Sequence, residues 1–156
     1  RAVKLEGARG NLDTVSHIVQ SDVPVMGHLG LTPQSIHQLG GYRVQGKTSK
    51  KAEELKQHAQ QLEEAGCFSL VLECVPAALA EEITSSLQIP TIGIGAGPHT
   101  SGQVLVWQDM LGMQADFQPT FLRTYLDGHG LIRDALNRYC RDVTEGKFPS
   151  VEESYP

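Results

Sequence analysis

Short runs of β-branched and apolar residues alternate with stretches of helical period along this chain, and that alternation restricts the folds open to it. Strands are predicted over 3–6, 23–28, 68–73, 91–95 and 103–107, with a longer insertion between the second and third. Ala52, Leu55, Ala59 and Leu62 fall near one face of a helix predicted over about 49–65, Lys, Glu and Gln fill the other face, and Gly66 ends it. Pro76 suits the first turn of a helix running to about Leu87, because the N–H it lacks needs no partner there. Ile132, Ala135, Leu136, Tyr139 and Val143 mark a last helix, with Gly130 before it and Gly146 after.

Strands joined by helices imply βα units and a parallel sheet, hence an α/β protein. Five strands fit an open doubly wound sheet or most of a (β/α)8 TIM barrel. A whole barrel takes about 250 residues, so on the barrel reading the 156 residues supply about its last five strands, as one domain over 1–156. Ala2-Val3-Lys4-Leu5-Glu6 is already strand-like, with no starting Met and no leading cap, and is read as the mark of a truncated chain.

The net charge of −5 is spread among neighbouring cations, as in Lys47, Lys50, Lys51, Glu53 and Glu54, which describes a solvated surface rather than a nucleic-acid groove. No run approaches the roughly 18 apolar residues of a membrane span, and no signal peptide opens the chain; the expected location is the cytoplasm. Cys67, Cys74 and Cys140 form no CxxC pair and make an odd count, so they are read as buried or idle thiols.

Working residues of parallel α/β folds sit at the C-terminal ends of strands, and these ends are polar here. Lys4 and Glu6, two apart, share one face of the first strand: either a surface ion pair or, in a barrel, a cation and a hard-metal ligand at the mouth. His28 lies between Gly27 and Leu29-Gly30 after an apolar run. It is either a hydrogen-bonded core histidine or a substrate-binding one, and the flanking glycines favour a ligand. Glu73 ends the apolar run 68–72, where desolvation would raise its pKa toward that of a general base; a metal ligand or a structural ion pair remains open. Nothing marks the adjacent Cys74 as activated, and it reads as packing. The other five histidines read as surface residues. The run Gly93-Ile94-Gly95-Ala96-Gly97 admits a phosphate cradle, but it lacks the P-loop and dinucleotide spacings, and tight packing at a barrel mouth explains it equally well.

These stretches, taken in order and spacing, resemble one family. Lys4-Leu5-Glu6-Gly7, the run 27–35 from Gly27-His28 to Gln34-Ser35, Gly40-Gly41-Tyr42-Arg43-Val44-Gln45-Gly46, Leu72-Glu73-Cys74-Val75-Pro76 and Ile92-Gly93-Ile94-Gly95-Ala96-Gly97 are similar to the signature segments of ketopantoate hydroxymethyltransferase. The likeness continues through Gly102-Gln103-Val104-Leu105-Val106 and Asp109 to Phe148-Pro149, so that it covers essentially the whole chain. It implies a TIM barrel of the phosphoenolpyruvate/pyruvate type, assembled as a homo-oligomeric decamer. It also implies Mg2+ and a transfer of the hydroxymethyl group from 5,10-methylene-tetrahydrofolate to 3-methyl-2-oxobutanoate, giving 2-dehydropantoate in pantothenate and coenzyme A synthesis.

By the same resemblance Glu6 is one of three carboxylates around the metal, the other two being aspartates on earlier strands. Lys4 is a cation beside the keto acid oxygens, His28 a donor to the substrate, and Glu73 the base at the substrate's C3. A Lewis-acidic Mg2+ held by the keto acid would suit enolate chemistry. The chain departs from the family pattern in lacking the first three strands, with their two aspartates and a serine, and in carrying Ala8 where a second Gly is common. On this reading it is inactive by itself. Two other readings compete: a related metal-dependent 2-keto acid C–C lyase, and a non-catalytic half-barrel.

Overall fold

The computed structural model describes residues 1–35, 43–116 and 118–156; the Gly40-Gly41-Tyr42 portion of the third motif lies outside them. The chain divides into two compact units, Arg1–Val104 and Leu105–Pro156. In the first, β1 (Val3–Glu6), β2 (Val25–Gly30), β3 (Ser69–Glu73), β4 (Thr91–Ile94) and β5 (Gly102–Gln103) form one parallel sheet in that order. The order never reverses, so the sheet has no switch point of the doubly wound kind. Right-handed crossovers then carry every connecting helix to the same side.

Alternation along the strands sorts the residues between two faces. Val25 and Leu29 of β2 and Leu70 and Leu72 of β3 join the core with Val15 of α1 (Leu12–Gln20), Ala59 and Leu62 of α2 (Ser49–Glu64), and Leu79, Ala80 and Ile83 of α3 (Ala77–Ser86). Lys4, Glu6, His28, Val71 and Glu73 fall on the other positions of β1, β2 and β3. Register aligns Glu6 with His28, His28 with Val71, and Gly30 with Glu73, so the polar positions of three strands lie side by side.

The helix α2 begins where Thr48 accepts a hydrogen bond from the Lys51 N–H at 3.3 Å, the side-chain cap expected of threonine. Pro76 stands one place earlier than its sequence reading, as the N-cap of α3.

The segment 12–20 carried no helix assignment, yet α1 forms there. Leu12, Val15 and Ile18 do repeat at helical spacing, but the β-branched Thr14, Val15, Ile18 and Val19 are weak helix formers. Asn11, at the N-cap, donates through Nδ2 to the Glu6 carbonyl at 2.9 Å instead of capping the helix. The second strand runs two residues later than expected, since the Val23 N–H bonds the Ile18 carbonyl and so belongs to the end of α1. The fifth strand is only Gly102–Gln103 rather than 103–107. Among the described residues its one neighbour is β4, which ends at Ile94, and the ladder goes on by a single bond from the Val104 N–H to the Gly93 carbonyl.

The second unit contains the short α4 (Trp107–Met110) and α5 (Gly128–Thr144). Trp107, expected to end a strand, opens α4. Gly130 lies inside α5 rather than before it, because Asp127 is the N-cap and its carboxylate accepts the Gly130 N–H at 3.0 Å. Tyr139 and Phe148 meet edge-on with ring centroids 5.5 Å apart.

Leu70 is fully buried between β2 and α2. Leu70→Ala in the intact protein is expected to cost about 2–5 kcal/mol, from lost transfer energy plus the cavity left behind. Gln60→Ala, on the exposed side of α2, should stay within about 0.5 kcal/mol. Urea midpoints of the two variants check the difference.

Candidate active site

The four residues singled out on the strands come together. Lys4 Nζ lies 3.6 Å from Glu6 Oε1 and 3.2 Å from His28 Nδ1, and His28 Nε2 lies 3.1 Å from Glu73 Oε2. His28 Nδ1 is also 3.7 Å from Glu6 Oε1. The imidazole is thus flanked by a carboxylate on each side, with the ammonium group on the β1 side.

Solvent contact is graded across the cluster. The Lys4 side chain is 46% exposed and that of Glu6 11%, Glu73 is 18% exposed, and His28 only 1%. His28 was expected to close its strand. It sits two residues before the end, because β2 continues through Leu29 and Gly30, and this explains its depth. Lys4 Nζ has only protons to give, so in this contact Nδ1 accepts and Nε2 is the nitrogen left to donate. That nitrogen is close to Glu73 but poorly aligned with it. Among the described residues it is the buried side-chain polar atom left without a hydrogen bond. Buried polar atoms are nearly always partnered, so an orphan donor facing a carboxylate marks a place prepared for a further acceptor.

Backbone groups hold the Glu6 carboxylate and the main chain at Glu73 in place. Glu6 Oε2 accepts the Gln34 N–H at 3.1 Å. The Glu73 carbonyl accepts the Leu31 N–H at 2.8 Å, and the Cys74 N–H donates to the Ile94 carbonyl at 2.9 Å. Asn11 and Gln34 were not singled out from the sequence. A short polar residue after Gly10 is a turn signal that would have found Asn11, whereas Gln34 acts through its backbone and leaves no side-chain signal.

The glycine run is built for contact. A Cβ on Gly97 would overlap Ala77 at the start of α3, and one on Gly93 would meet Gln103 Nε2 at 3.2 Å. Gln103 itself donates to the Gly97 carbonyl at 2.9 Å and to Thr100 Oγ1 at 2.8 Å. The loop therefore packs on itself and on α3. Ala8, the departure from the common Gly, is buried in the core.

No three His, Cys, Asp or Glu side chains gather to hold a metal ion among the described residues. No described helix is long and apolar enough to cross a membrane. The three thiols are free. Burial, and then the Glu73 carboxylate, push the Cys74 thiol above its ordinary pKa, which is the opposite of activation.

The parallel sheet places the protein in the α/β class, and the charged groups converge beside the carboxyl ends of its strands, the end at which enzymes of that class carry their sites. Within that class, the chain belongs to the ketopantoate hydroxymethyltransferase family, whose model matches residues 1–151. It is 61% identical over 154 residues to the 3-methyl-2-oxobutanoate hydroxymethyltransferase of Bdellovibrio bacteriovorus, covering 99% of this chain and 59% of that protein. Identity to the enzyme of the same name from Francisella tularensis subsp. tularensis is 56%, covering 99% and 58%. For that of Legionella pneumophila it is 58%, covering 99% and 60%. The chain thus spans about three-fifths of the length of these relatives.

A raised thiol pKa leaves less thiolate near neutrality. Iodoacetamide labelling of Cys74 in the intact protein, followed by peptide mapping between pH 7 and 10, should be slower than that of a free cysteine. It should also keep rising with pH beyond the range where the free thiol has levelled off. Glu73→Gln should shift the curve to lower pH, since the carboxylate adds to the elevation.

Proposed function

We propose that the intact protein transfers a hydroxymethyl group from 5,10-methylene-tetrahydrofolate to 3-methyl-2-oxobutanoate, giving 2-dehydropantoate for pantothenate and coenzyme A synthesis. The observation that carries this is the pairing of Glu73 with the buried His28 on the same sheet positions as Lys4 and Glu6, in a chain of this family.

In this reading Lys4, half in solvent, meets the carboxylate of the keto acid. His28 donates its orphan Nε2–H to the substrate in place of the misaligned contact with Glu73. Glu73, on the strand next to His28, takes the proton from C3, and the electron pair of the broken C–H bond moves toward the keto oxygen. Water opens the folate's N–CH2–N bridge: both C–N bonds break, the water's hydrogens pass to the two nitrogens of the departing tetrahydrofolate, and its oxygen stays on the carbon at the formaldehyde level. C3 then bonds to that carbon, whose C=O pair takes up the proton that Glu73 removed, leaving the hydroxymethyl group. The backbone bonds at Leu31 and Ile94 hold the base still while the proton moves.

Mg2+ fits the donor chemistry of Glu6, a carboxylate of the hard-oxygen type that this ion prefers. Glu6 would supply one ligand, and the others would come from the length that the relatives have in addition. When bound, the ion would supply Lewis-acid stabilisation of negative charge on the keto oxygen. The uninterrupted strand order supports a TIM barrel of the phosphoenolpyruvate/pyruvate type as one domain, which the sheet of this chain would complete with further strands. A cytoplasmic homo-oligomer, a decamer, is part of the same proposal.

Two measurements test it. Glu73→Gln in the intact protein should lower turnover on the order of 10²-fold or more, the scale of a lost general base, while keto acid binding by calorimetry stays near the parent value. Exchange of the C3 hydrogen at the parent rate would move the base elsewhere. Retro-aldol cleavage without folate dependence would favour the lyase.

The 156-residue chain alone should show no hydroxymethyl transfer, and should aggregate through the unpaired outer edges of β1 and β5. Supplying the remaining length found in the relatives, by fusion or as a second chain, should restore both solubility and activity. A soluble, monodisperse chain with normal turnover would contradict the half-site account.

A further inference from the structure

Glu73 and Cys74 are gripped by three neighbouring segments through the main chain. The Leu31 N–H donates to the Glu73 carbonyl at 2.8 Å, the Cys74 N–H to the Ile94 carbonyl at 2.9 Å, and the Gln45 N–H to the Cys74 carbonyl at 2.8 Å. Two further features make the grip possible. Gly30, opposite Glu73 in register, has φ +95; a Cβ there would overlap the Glu73 carbonyl oxygen and approach Val75 Cγ1 at 2.9 Å. Cys74 has φ +49, the left-handed region that residues with a Cβ rarely enter. That conformation turns the chain sharply after Glu73, toward Pro76 and α3.

We propose that Gly30 and Cys74 are positioning residues for Glu73: one by lacking a side chain, the other by backbone conformation and not through its thiol. Gly30 lets β2 approach closely enough for Leu31 to hold the Glu73 carbonyl. The left-handed turn at Cys74 brings its N–H to β4 and its carbonyl to Gln45. With the backbone held on both sides, the carboxylate can reach only the space its own torsions sweep, beside His28 Nε2. A conformational role separates substitutions that a chemical role would group together. Gly takes φ +49 without cost, whereas a β-branched residue resists it, and both lack the thiol.

The proposal rests on Glu73 being the base. The experiment uses the intact protein and follows exchange of the C3 hydrogen of 3-methyl-2-oxobutanoate with D2O by NMR, alongside keto acid affinity by calorimetry and melting temperature. Gly30→Ala and Cys74→Val should slow exchange by on the order of tenfold to a hundredfold, the scale of a misplaced reacting group, with affinity little changed. Cys74→Gly should restore exchange to within about threefold of the parent, because glycine takes the left-handed turn freely. Equal losses in Cys74→Gly and Cys74→Val would assign the role to the thiol and overturn the proposal, as would parent-rate exchange in folded Gly30→Ala. Should Cys74→Val fail to fold, Cys74→Gly still decides, since loss of exchange there is incompatible with a conformational role. Glu73→Gln runs in parallel. Full exchange in that variant defeats the base assignment and this proposal together, whereas its loss with Gly30→Ala unaffected defeats this proposal alone.

Discussion

An imidazole taken almost wholly out of water must find its polar partners on the neighbouring strands, and the site is arranged around that requirement. His28 is held at Nδ1 by Lys4 and faces Glu73 at Nε2. For both contacts to exist, β1, β2 and β3 must run parallel in one register, so that the polar side chains of three strands share a face. The core on the opposite face supplies that constraint, because Val25, Leu29, Leu70 and Leu72 are buried against the helices. A slip of one residue would exchange the two sets. Hydrophobic packing on one side of the sheet thus fixes the electrostatics on the other.

Much of this was legible in the sequence. Parallel βα architecture followed from the alternation of periods. Lys4 and Glu6 belong together because side chains two apart share a strand face. Glu73 stood out as a carboxylate ending a run that has to be buried. Order and spacing of the motifs carried the family, while composition could not choose between a barrel and an open sheet; the five described strands run in one order without a switch point.

What could not be read has definite causes. The helix α1 contains four β-branched residues, Thr14, Val15, Ile18 and Val19, whose local preference is overridden by packing of Val15 into the core. Pairing length misled at the fifth strand, since an apolar sequence cannot extend a ladder past the end of its partner. The depth of His28 depended on where β2 stops, and strand ends are set by neighbours rather than by the segment itself. Gly30 reads from the sequence as a glycine that lets a ligand approach His28, and Cys74 as packing, because the contribution of both is a backbone geometry. Cys74 carries no unusual side-chain chemistry, and nothing in a sequence reports a positive φ at a residue that is not glycine.

The uninterrupted order of the sheet also bears on how the chain is made. Each strand from β2 to β5 pairs with the strand immediately before it. Each of these strands, leaving the ribosome in turn, therefore finds one partner already synthesised, and each crossover closes a loop of modest length. Contacts this local favour rapid folding, one βα unit added to the last in the direction of translation. At the switch point of a doubly wound sheet, by contrast, one strand pairs with a partner that is not the strand before it, so that one crossover closes a longer loop.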